Sequence, residues 1–306
     1  MATILAVGIA TLDIINTVER YPSEDSETRA SHHRKTRGGN ATNTLSVLSQ
    51  LGHQCHWAGT LIDEPDSQII SQNLAQHNIN TAACKRLTEG KMPTSYITHN
   101  QQTASRTIVH YRDCPEYDFD SFQKIDLNIF DWIHFEGRNV SETEHMLTYL
   151  KQVHQNLPCS LEIEKTRPNI ETLFSLPDWL FFSKDYATSQ QYNDAASFLN
   201  NINRDKTLRA TCTWGEKGAW LSDKSYDLSH QNVINKMPIL DTLAAGDTFN
   251  AGFIHSQLQG MTTLDSLSYA TQLASHKCTR FGLESILTDF TFQSLTHAIL
   301  LSLPST

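Results

Sequence analysis

The sequence predicts an α/β fold, in which a mostly parallel sheet is covered by helices on both faces and carries a small β-sheet lid. Short apolar runs alternate with helical stretches along the 306 residues, and this alternation is typical of βαβ units. Two polar-rich stretches with strand-like alternation, 13–37 and 94–113, interrupt it and predict the lid. No repeat, low-complexity tract or Pro/Gly/Ser-rich linker divides the chain, so we expect residues 1–306 to form one domain into which the lid is inserted.

The individual elements are predicted in chain order from apolar runs and helical periodicity. The first strand, 4–9, is a short apolar run, and the first helix, 42–51, ends before Gly52, a residue that commonly follows a helix. Further strands are predicted at 132–135, 160–163, 179–183, 207–213 and 219–221. Further helices are predicted at 67–77, 141–154, 246–259, 264–280 and 292–301.

The composition excludes several classes of protein. Hydrophobic residues make up 39% of the chain and charged residues 19%, which suits a sizeable core. The 24 Lys and Arg against 33 Asp and Glu give a net charge of −9, so general binding to nucleic acid or to an anionic membrane is not expected. No apolar run reaches the ~18 residues of a membrane span, and we expect no signal peptide. Six cysteines without CxxC spacing favour reduced thiols and a cytoplasmic protein.

The first candidate site is the segment DTLAAGDTFNAG at 241–252, where small residues lead into a predicted helix. The first N–H groups of a helix have no partner within it, and the helix dipole adds partial positive charge. Such a start binds anions and suits the charge on a transferring phosphoryl group. Asp247, in the first turn, could accept a proton from an attacking hydroxyl. It could instead cap the helix, which is the commoner role of an isolated AGD.

The second candidate site is the segment RGGNATN at 37–43. Gly38 and Gly39 allow a ligand to approach the backbone. Asn40 and Asn43 lie three residues apart at a helix start, so their amides can face one side and offer both donors and acceptors to sugar hydroxyls. The alternative is a glycine turn with an asparagine cap.

These two segments resemble the two signatures of the ribokinase-like (PfkB) carbohydrate kinases. Other segments agree with the family in order and spacing over essentially the whole chain: VGIATLDIINTVERYPSEDSE, ASRTIVHYRD, WIHFEGRN, LEIEKTR and FFSKDYA. Several of them are most similar to the branch of the family that phosphorylates ketohexoses. The resemblance implies a ribokinase-like three-layer fold with a β lid, and it outweighs the capping and turn interpretations of the two motifs.

The resemblance also implies an activity, the ATP-dependent transfer of the γ-phosphate to a ketohexose hydroxyl, from fructose to fructose 1-phosphate. Asp247 would be the base, the backbone of Ala245 and Gly246 would complete the anion site, and Arg106 would reach the phosphates as the lid closes. The sugar would be bound by Asp13, Gly39, Asn40, Asn43, Ser105, Glu136 and Arg138. The nucleotide would lie near Lys184, Trp214, Gly215, Lys217, Gly218, Ala244, Asn250, Cys278 and Gly282.

The implied partners are a sugar, ATP with Mg²⁺, and a second copy of the chain bound through the lid. Mg²⁺ would be held through phosphates and water, and no protein ligand to a metal is assigned. Glu136 and Arg138 could alternatively form a buried ion pair. Charged residues after the strand at 160–163 could lie near the phosphates, since ligands collect at strand ends in open α/β sheets: Glu162, Glu164, Lys165 and Arg167.

Three departures from the family pattern bear on the function. Ala244 replaces the first glycine of the usual GAGD, and if this position needs a positive φ the alanine is strained by about 1 kcal/mol or more. The sequence SKDYA at 183–187 replaces the NxxE motif of many members. Ser105 stands where an asparagine precedes the lid arginine, which predicts weaker discrimination among ketoses. Other PfkB kinases, acting on ribose, a nucleoside or another fructose hydroxyl, and a sugar-binding regulatory protein are the alternatives.

Overall fold

The computed structural model describes residues 1–103, 105–233 and 238–292 of the chain. The strands in these ranges, numbered in chain order, are β1 (Thr3–Val7), β2 (Thr11–Val18), β3 (His32–Gly38), β4 (Gln54–Ala58), β5 (Thr60–Ile62), β6 (Ile79–Asn80), β7 (Lys85–Leu87), β8 (Lys91–Asn100), β9 (Arg106–Asp113), β10 (Trp132–Glu136), β11 (Cys159–Ile163), β12 (Trp179–Phe182), β13 (Ala210–Thr213), β14 (Ala219–Ser222) and β15 (Ser229–Gln231).

A nine-stranded sheet forms the centre of the molecule, with the strands in the order β15-β14-β13-β12-β11-β10-β1-β4-β6. Every neighbouring pair from β13 to β6 is parallel, and β14 and β15 join in antiparallel fashion at one edge. The predicted mostly parallel sheet is therefore confirmed. The sequence analysis did not predict β4 and β6, because β4 mixes polar Gln54 and His56 with buried residues and β6 has only two residues.

The helices are α1 (Asn40–Gln50), α2 (Pro65–Gln76), α3 (Phe119–Phe122), α4 (Val140–Val153), α5 (Lys184–Ser189), α6 (Ala195–Ile202), α7 (Ala245–Leu258) and α8 (Thr263–Lys277). Five of these match predicted helices within two or three residues at each end. The short helices α3, α5 and α6 were not predicted. The side chains of Asp118, Ser183 and Asp194 cap them by accepting backbone N–H groups. The helix predicted at 292–301 lies, except for its first residue, outside the described residues.

The lid is a four-stranded sheet with the order β3-β2-β8-β9. Two antiparallel hairpins, β2–β3 and β8–β9, are joined by parallel pairing between β2 and β8. The two stretches predicted to form the lid thus make one sheet, and the pairing between its two hairpins is parallel. The two central strands satisfy each other's backbone groups along their shared edge, which leaves edges only at β3 and β9.

The hydrophobic core lies on both faces of the central sheet because neighbouring residues of each strand point in opposite directions. Ile4, Trp132 and Phe181 pack on one face with α1, α2, α7 and α8. The residues next to Ile4 and Phe181, Leu5 and Phe182, pack on the other face with α4 and α6. The result is the three-layer arrangement that the sequence predicts. None of the helices in the described ranges is long and apolar enough to cross a membrane.

Candidate active site

A cavity of about 530 Å³, here called the main cavity, opens at the carboxyl ends of the parallel strands and beneath the lid. This is where open α/β sheets bind their ligands. The main cavity brings together residues from both sequence motifs and from the lid. The predicted site residues that line it are Asp13, Gly39, Asn40, Asn43, Arg106, Arg138, Ala244, Ala245, Gly246, Asp247 and Asn250.

Asp247 lies on the floor of the main cavity, in the first turn of α7, and only 5% of its surface is exposed. Its carboxylate accepts a hydrogen bond from Asn43, with 2.8 Å between Nδ2 and Oδ2. The side chain therefore faces α1 and does not cap its own helix. Burial raises the pKa of Asp247 to about 7, although the Asn43 hydrogen bond opposes this shift. A buried carboxylate that titrates near neutral pH is suited to accepting a proton.

The start of α7 presents backbone donors beside Asp247. The N–H of Ala245 already donates to the carbonyl of Thr242 at 3.3 Å, so Gly246 and Asp247 carry the N–H groups that have no partner within the helix. The sequence predicts an anion site formed by the backbone of Ala245, Gly246 and Asp247. In the structure the N–H groups of Gly246 and Asp247 are the ones left to form it. Ala244 has a φ of 61°, in the left-handed region, as its place in the motif predicts. For an alanine this conformation costs about 1 kcal/mol.

The part of the main cavity wall formed by β2 and the start of α1 is also polar. Asp13 is 6% exposed and accepts a hydrogen bond from Thr11 at 2.7 Å between the side-chain oxygens, and burial raises its pKa. Gly39 has a φ of 104°, and a Cβ there would lie 2.3 Å from the carbonyl oxygen of Ile9. No other residue type fits this close approach between the end of β3 and the segment after β1. Asn40 donates from Nδ2 to Glu162 at 3.2 Å.

Two buried glutamates lie side by side where β10 and β11 end. Glu162 accepts from Asn40 and also from Asn250, whose Nδ2 is 3.1 Å from Oε1. Burial, with the nearby charge of Asp247, raises the pKa of Glu162 well above its usual range. Glu136 accepts the backbone N–H of Ile9, and burial raises its pKa to about 8. Because Glu136 points at this N–H, it lines a small side cavity with Gly137 rather than the main cavity.

Basic side chains form one wall of the main cavity. Arg138 pairs with Glu116, at 3.1 Å between Nε and Oε1, and the charge of Glu136 acts on it without a salt-bridge contact, so the alternative of a Glu136–Arg138 ion pair is not what the structure shows. Lys165 and Arg167 line the same wall. Arg106 reaches across from the start of β9 and donates to Thr242 Oγ1 at 3.2 Å. It brings the lid into contact with the segment that leads into α7.

A second cavity of about 540 Å³ adjoins the main one and shares Arg106, Thr213, Thr242, Ala245 and Gly246 with it. Its other walls are formed largely by small and apolar residues: Gly215, Glu216, Gly218, Ala219, Val233, Ile239, Phe249, Thr271, Ala274, Ser275, Cys278 and Thr279. Of the residues predicted to lie near a nucleotide, Gly215, Gly218 and Cys278 are brought together here. The two cavities meet at the start of α7, where the backbone donors lie.

Six of the predicted residues line neither of these two cavities: Glu136, described above, and five others. Trp214 is buried in the core, and the exposed Lys184 lies over its ring at 5.9 Å. Lys217 is exposed, and its carbonyl bonds to a histidine ring. Gly282 donates its N–H to Asp241 at 2.9 Å, behind the site. The hydroxyl of Ser105 contacts those of Tyr21 at 3.0 Å and Thr103 at 2.7 Å, and Ser105 is outside the lining of both cavities.

Sequence reasoning missed three residues that support the site. Thr242 contacts Arg106, as described above. Lys277 is fully buried, and its ammonium is 2.9 Å from the carbonyl oxygen and 3.2 Å from Oδ2 of Asp241, which fixes the segment before α7. Arg37 is buried against α1. Only Arg37 had a sequence signal, an arginine directly before two glycines, because the contacts of Thr242 and Lys277 depend on packing between distant segments.

Comparisons with known proteins identify a matching family model and several similar proteins. Residues 1–289 match the family model described as pfkB family carbohydrate kinase. The chain is 35% identical to mouse ketohexokinase over 293 residues, covering 93% of this chain and 98% of the relative. It is 22% identical to ribokinase from Bacillus subtilis (strain 168) over 295 residues, covering 92% and 94%.

Solved structures share the fold. Ribokinase from Arabidopsis thaliana, complexed with ribose and ATP, superposes with a TM-score of 0.77 at 17% identity and covers 95% of this chain and 99% of its own. Ribokinase from Giardia lamblia gives a TM-score of 0.80 at 14% identity, with coverage of 94% and 97%. The arrangement of a central sheet and a lid is therefore common to this chain and these ribokinases.

Proposed function

Since the chain belongs to the pfkB family of carbohydrate kinases, we propose that it transfers the γ-phosphate of ATP to a ketohexose, with the 1-hydroxyl of fructose as the acceptor. The observation that carries this proposal is the meeting of the two cavities at the start of α7. In one cavity Asp247 lies beside polar groups suited to sugar hydroxyls, and the other, lined largely by small and apolar residues, suits a nucleotide. The 35% identity to mouse ketohexokinase supports a ketohexose over a pentose.

The proposed chemistry assigns a step to each part of the site. Asp247 takes the proton of the attacking hydroxyl on its carboxylate, and the oxygen attacks the γ-phosphorus while the bond to ADP breaks. The N–H groups of Gly246 and Asp247 stabilise charge on the transferring group. Arg106, held at Thr242 between the two cavities, adds a positive charge from the lid. Positioning and charge stabilisation supply most of the rate enhancement in such reactions.

Mg²⁺ is proposed to accompany the nucleotide. Glu162, Glu164 and Asp247 all line the main cavity, and their mutual repulsion contributes to the raised pKa of Glu162. This concentration of negative charge fits a divalent cation. Across the described ranges, no three or more His, Cys, Asp or Glu side chains are grouped to hold a metal, and phosphates and water would supply the ligands. When bound, the ion would offset charge on the phosphates.

A homodimer is proposed to form through the outer face of the lid. Side chains alternate along β9, so Ile108 and His110 line the main cavity while Val109 and Tyr111 point away from it. Val109 is 65% exposed and Tyr111 51%, and Tyr96 on β8, opposite Val109, is 48% exposed. An exposed apolar face on a narrow sheet favours pairing with a second copy. We expect light scattering to show a dimer at micromolar concentration in a buffer of cytoplasmic pH and ionic strength. A monomeric wild-type chain would contradict the proposed homodimer.

The proposed substrate is tested by a panel read through ADP release. Purified enzyme with ATP and Mg²⁺ is offered fructose, tagatose, sorbose, ribose and several nucleosides, with Asp247→Asn as the blank. We expect turnover of fructose, with the product phosphorylated at carbon 1 by ³¹P–¹H correlation, and weaker turnover of other ketoses. An enzyme that ignores every ketohexose but phosphorylates ribose or a nucleoside contradicts the substrate. Sugar binding without turnover would support the regulatory alternative.

A further inference from the structure

We propose that Arg37 is a positioning residue for phosphoryl transfer, because its buried guanidinium fixes the amide of Asn43 so that the amide N–H donates to Asp247. The proposal rests on the proposed role of Asp247 as the base. Arg37 does not line the main cavity. It lines a separate cavity of about 120 Å³ behind it, together with Asp13 and Ala244, and so acts through Asn43 without touching the substrate.

The surroundings of Arg37 are unusual for a charged side chain. Arg37 is 5% exposed, and within the described ranges its guanidinium donates to neutral oxygens on four neighbours and to no carboxylate. The distances are 2.8 Å from Nε to Asn73 Oδ1, 2.7 Å from Nη1 to Thr42 Oγ1, 2.9 Å from Nη1 to Asn43 Oδ1 and 2.6 Å from Nη2 to Ser46 Oγ. Burying a cation without a contacting carboxylate is costly. Such a group is retained where its charge or its geometry is needed.

The contact with Asn43 determines which way the amide points. Nη1 can only donate, so the amide must turn its oxygen to Arg37. Its NH₂ group is then directed at Asp247, 2.8 Å from Oδ2. In a flipped amide the Asn43 NH₂ group would face the N–H groups of Arg37, and its oxygen would face the carboxylate of Asp247. Neither contact could form a hydrogen bond. The guanidinium thus orients the carboxylate through one intervening side chain and leaves Oδ1 as the oxygen to receive the proton.

The charge of Arg37 acts on the same carboxylates. Asp13 and Asp247 are the nearest anions facing it, with Glu284 from the loop after α8, and Arg34 on the same strand is the nearby cation. Among the other charges near Asp247, Glu164 raises the pKa of its carboxyl and Lys277 lowers it. Arg37 lowers the pKa of both Asp13 and Asp247 and thereby limits the rise that burial causes.

The test uses Arg37→Gln with Arg34→Gln as the matched control. Arg34 lies on the same strand and lines the same rear cavity, but it is exposed. For Arg37→Gln we expect kcat to fall about 10- to 100-fold, the KM for ATP to change little, and the acid limb of the kcat/KM profile to move to higher pH. Arg34→Gln is expected to leave kcat and the acid limb unchanged.

A double-mutant cycle separates positioning from a general structural role. If Arg37 acts through Asn43, Arg37→Gln costs little further kcat in an Asn43→Ala background. Full additivity would overturn the proposal.

If Arg37→Gln does not fold, the variant Arg37→Lys is used for the test. Lysine retains the positive charge but lacks the planar set of N–H donors of the guanidinium. We expect a reduced kcat with a nearly normal acid limb, and an unchanged kcat would overturn the proposal. If the Asp247→Asn enzyme were active, Asp247 would not be the base. That result would contradict the proposed function, and it can be told apart from a failure of the role proposed for Arg37.

Discussion

At one end of the site, buried polar side chains bond to one another, whereas the other end is shaped by turns and small residues. The sugar end, as we name it, comprises Asp13, Asn40, Asn43 and Asp247, each with a hydrogen-bonded neighbour. The nucleotide end is lined largely by apolar and small residues of the second cavity, with Gly215 and Gly218 in the turn between β13 and β14.

This difference predicts different consequences of substitution. At the sugar end, removing one group leaves its buried partner unsatisfied and disturbs the next, so the chemical step should be affected most. At the nucleotide end, the backbone determines the shape, so steric changes should affect the KM for ATP most.

The largest effect is expected for Asp247→Asn at the sugar end. The substitution keeps the size and an acceptor for Asn43 but removes the base, so kcat should fall about 10²- to 10⁴-fold. Melting temperature and ATP binding should change little. Steady-state ADP release measures kcat, and thermal unfolding measures the melting temperature. A variant with near wild-type kcat would mean that another group takes the proton.

A similarly large change should follow from pH, and it should separate the two ends. Burial raises the pKa of Asp247 to about 7, and only the ionised form can accept a proton. At saturating ATP, kcat/KM for fructose should therefore fall about tenfold per pH unit below 7, or about 100-fold at pH 5. The dissociation constant for ADP, measured by calorimetry over the same range, should change much less. A flat kcat/KM profile between pH 5 and 7 would contradict this.

Gly218→Ala tests the nucleotide end, with Gly215→Ala as its control. Gly218 has a φ of 84°, and a Cβ there would lie 1.9 Å from the carbonyl oxygen of Gln231. Gly215 also has a positive φ, 56°, but open space around its Cβ position. We expect Gly218→Ala to raise the KM for ATP about tenfold and to leave the KM for fructose nearly unchanged. Gly215→Ala should cost only the backbone strain of about 1 kcal/mol. Equal effects of the two variants would show that the contact with Gln231 is unimportant.

The smallest effect is expected at Ser105. The sequence predicts that Ser105→Asn sharpens the preference for fructose over tagatose, sorbose or ribose by up to about tenfold, the value of one hydrogen bond. In the structure the Ser105 hydroxyl contacts Tyr21 and Thr103 outside both cavities. We therefore expect a change of only a few-fold in the ratio of kcat/KM values. A full tenfold gain would indicate that the lid brings this position to the sugar during closure.

The sequence predicted the parts of the fold and site that depend on local patterns. Apolar runs located the parallel strands β1 and β10 to β13, and the small residues of the segment 241–252 predicted the start of α7. Asn40 and Asn43 share the main cavity as their spacing suggests. These features depend on residues close together in the chain. Over such short distances, hydrophobic periodicity and the residue types of turns indicate the local structure.

What the sequence did not predict depends on packing between distant segments. The parallel pairing of β2 with β8 joins strands about eighty positions apart, and no local pattern specifies it. Trp214 was expected near the nucleotide, but its large apolar ring fills the core. Lys277 lies in a polar part of α8 and becomes buried only because Asp241 meets it. The pairing of Arg138 with Glu116 arises in the same way.

The hydrogen bond between Asn43 and Asp247 spans 204 positions of the chain. Closing so long a loop is slow compared with forming helices or nearby strand pairs, so this bond cannot stabilise an early folding intermediate. The proposed catalytic centre is complete only when α7 docks against α1, and we expect most of the secondary structure to form before that step. During refolding, far-UV circular dichroism should recover before ADP release does. A partly folded chain can thus resemble the native protein in helix content and still be catalytically silent.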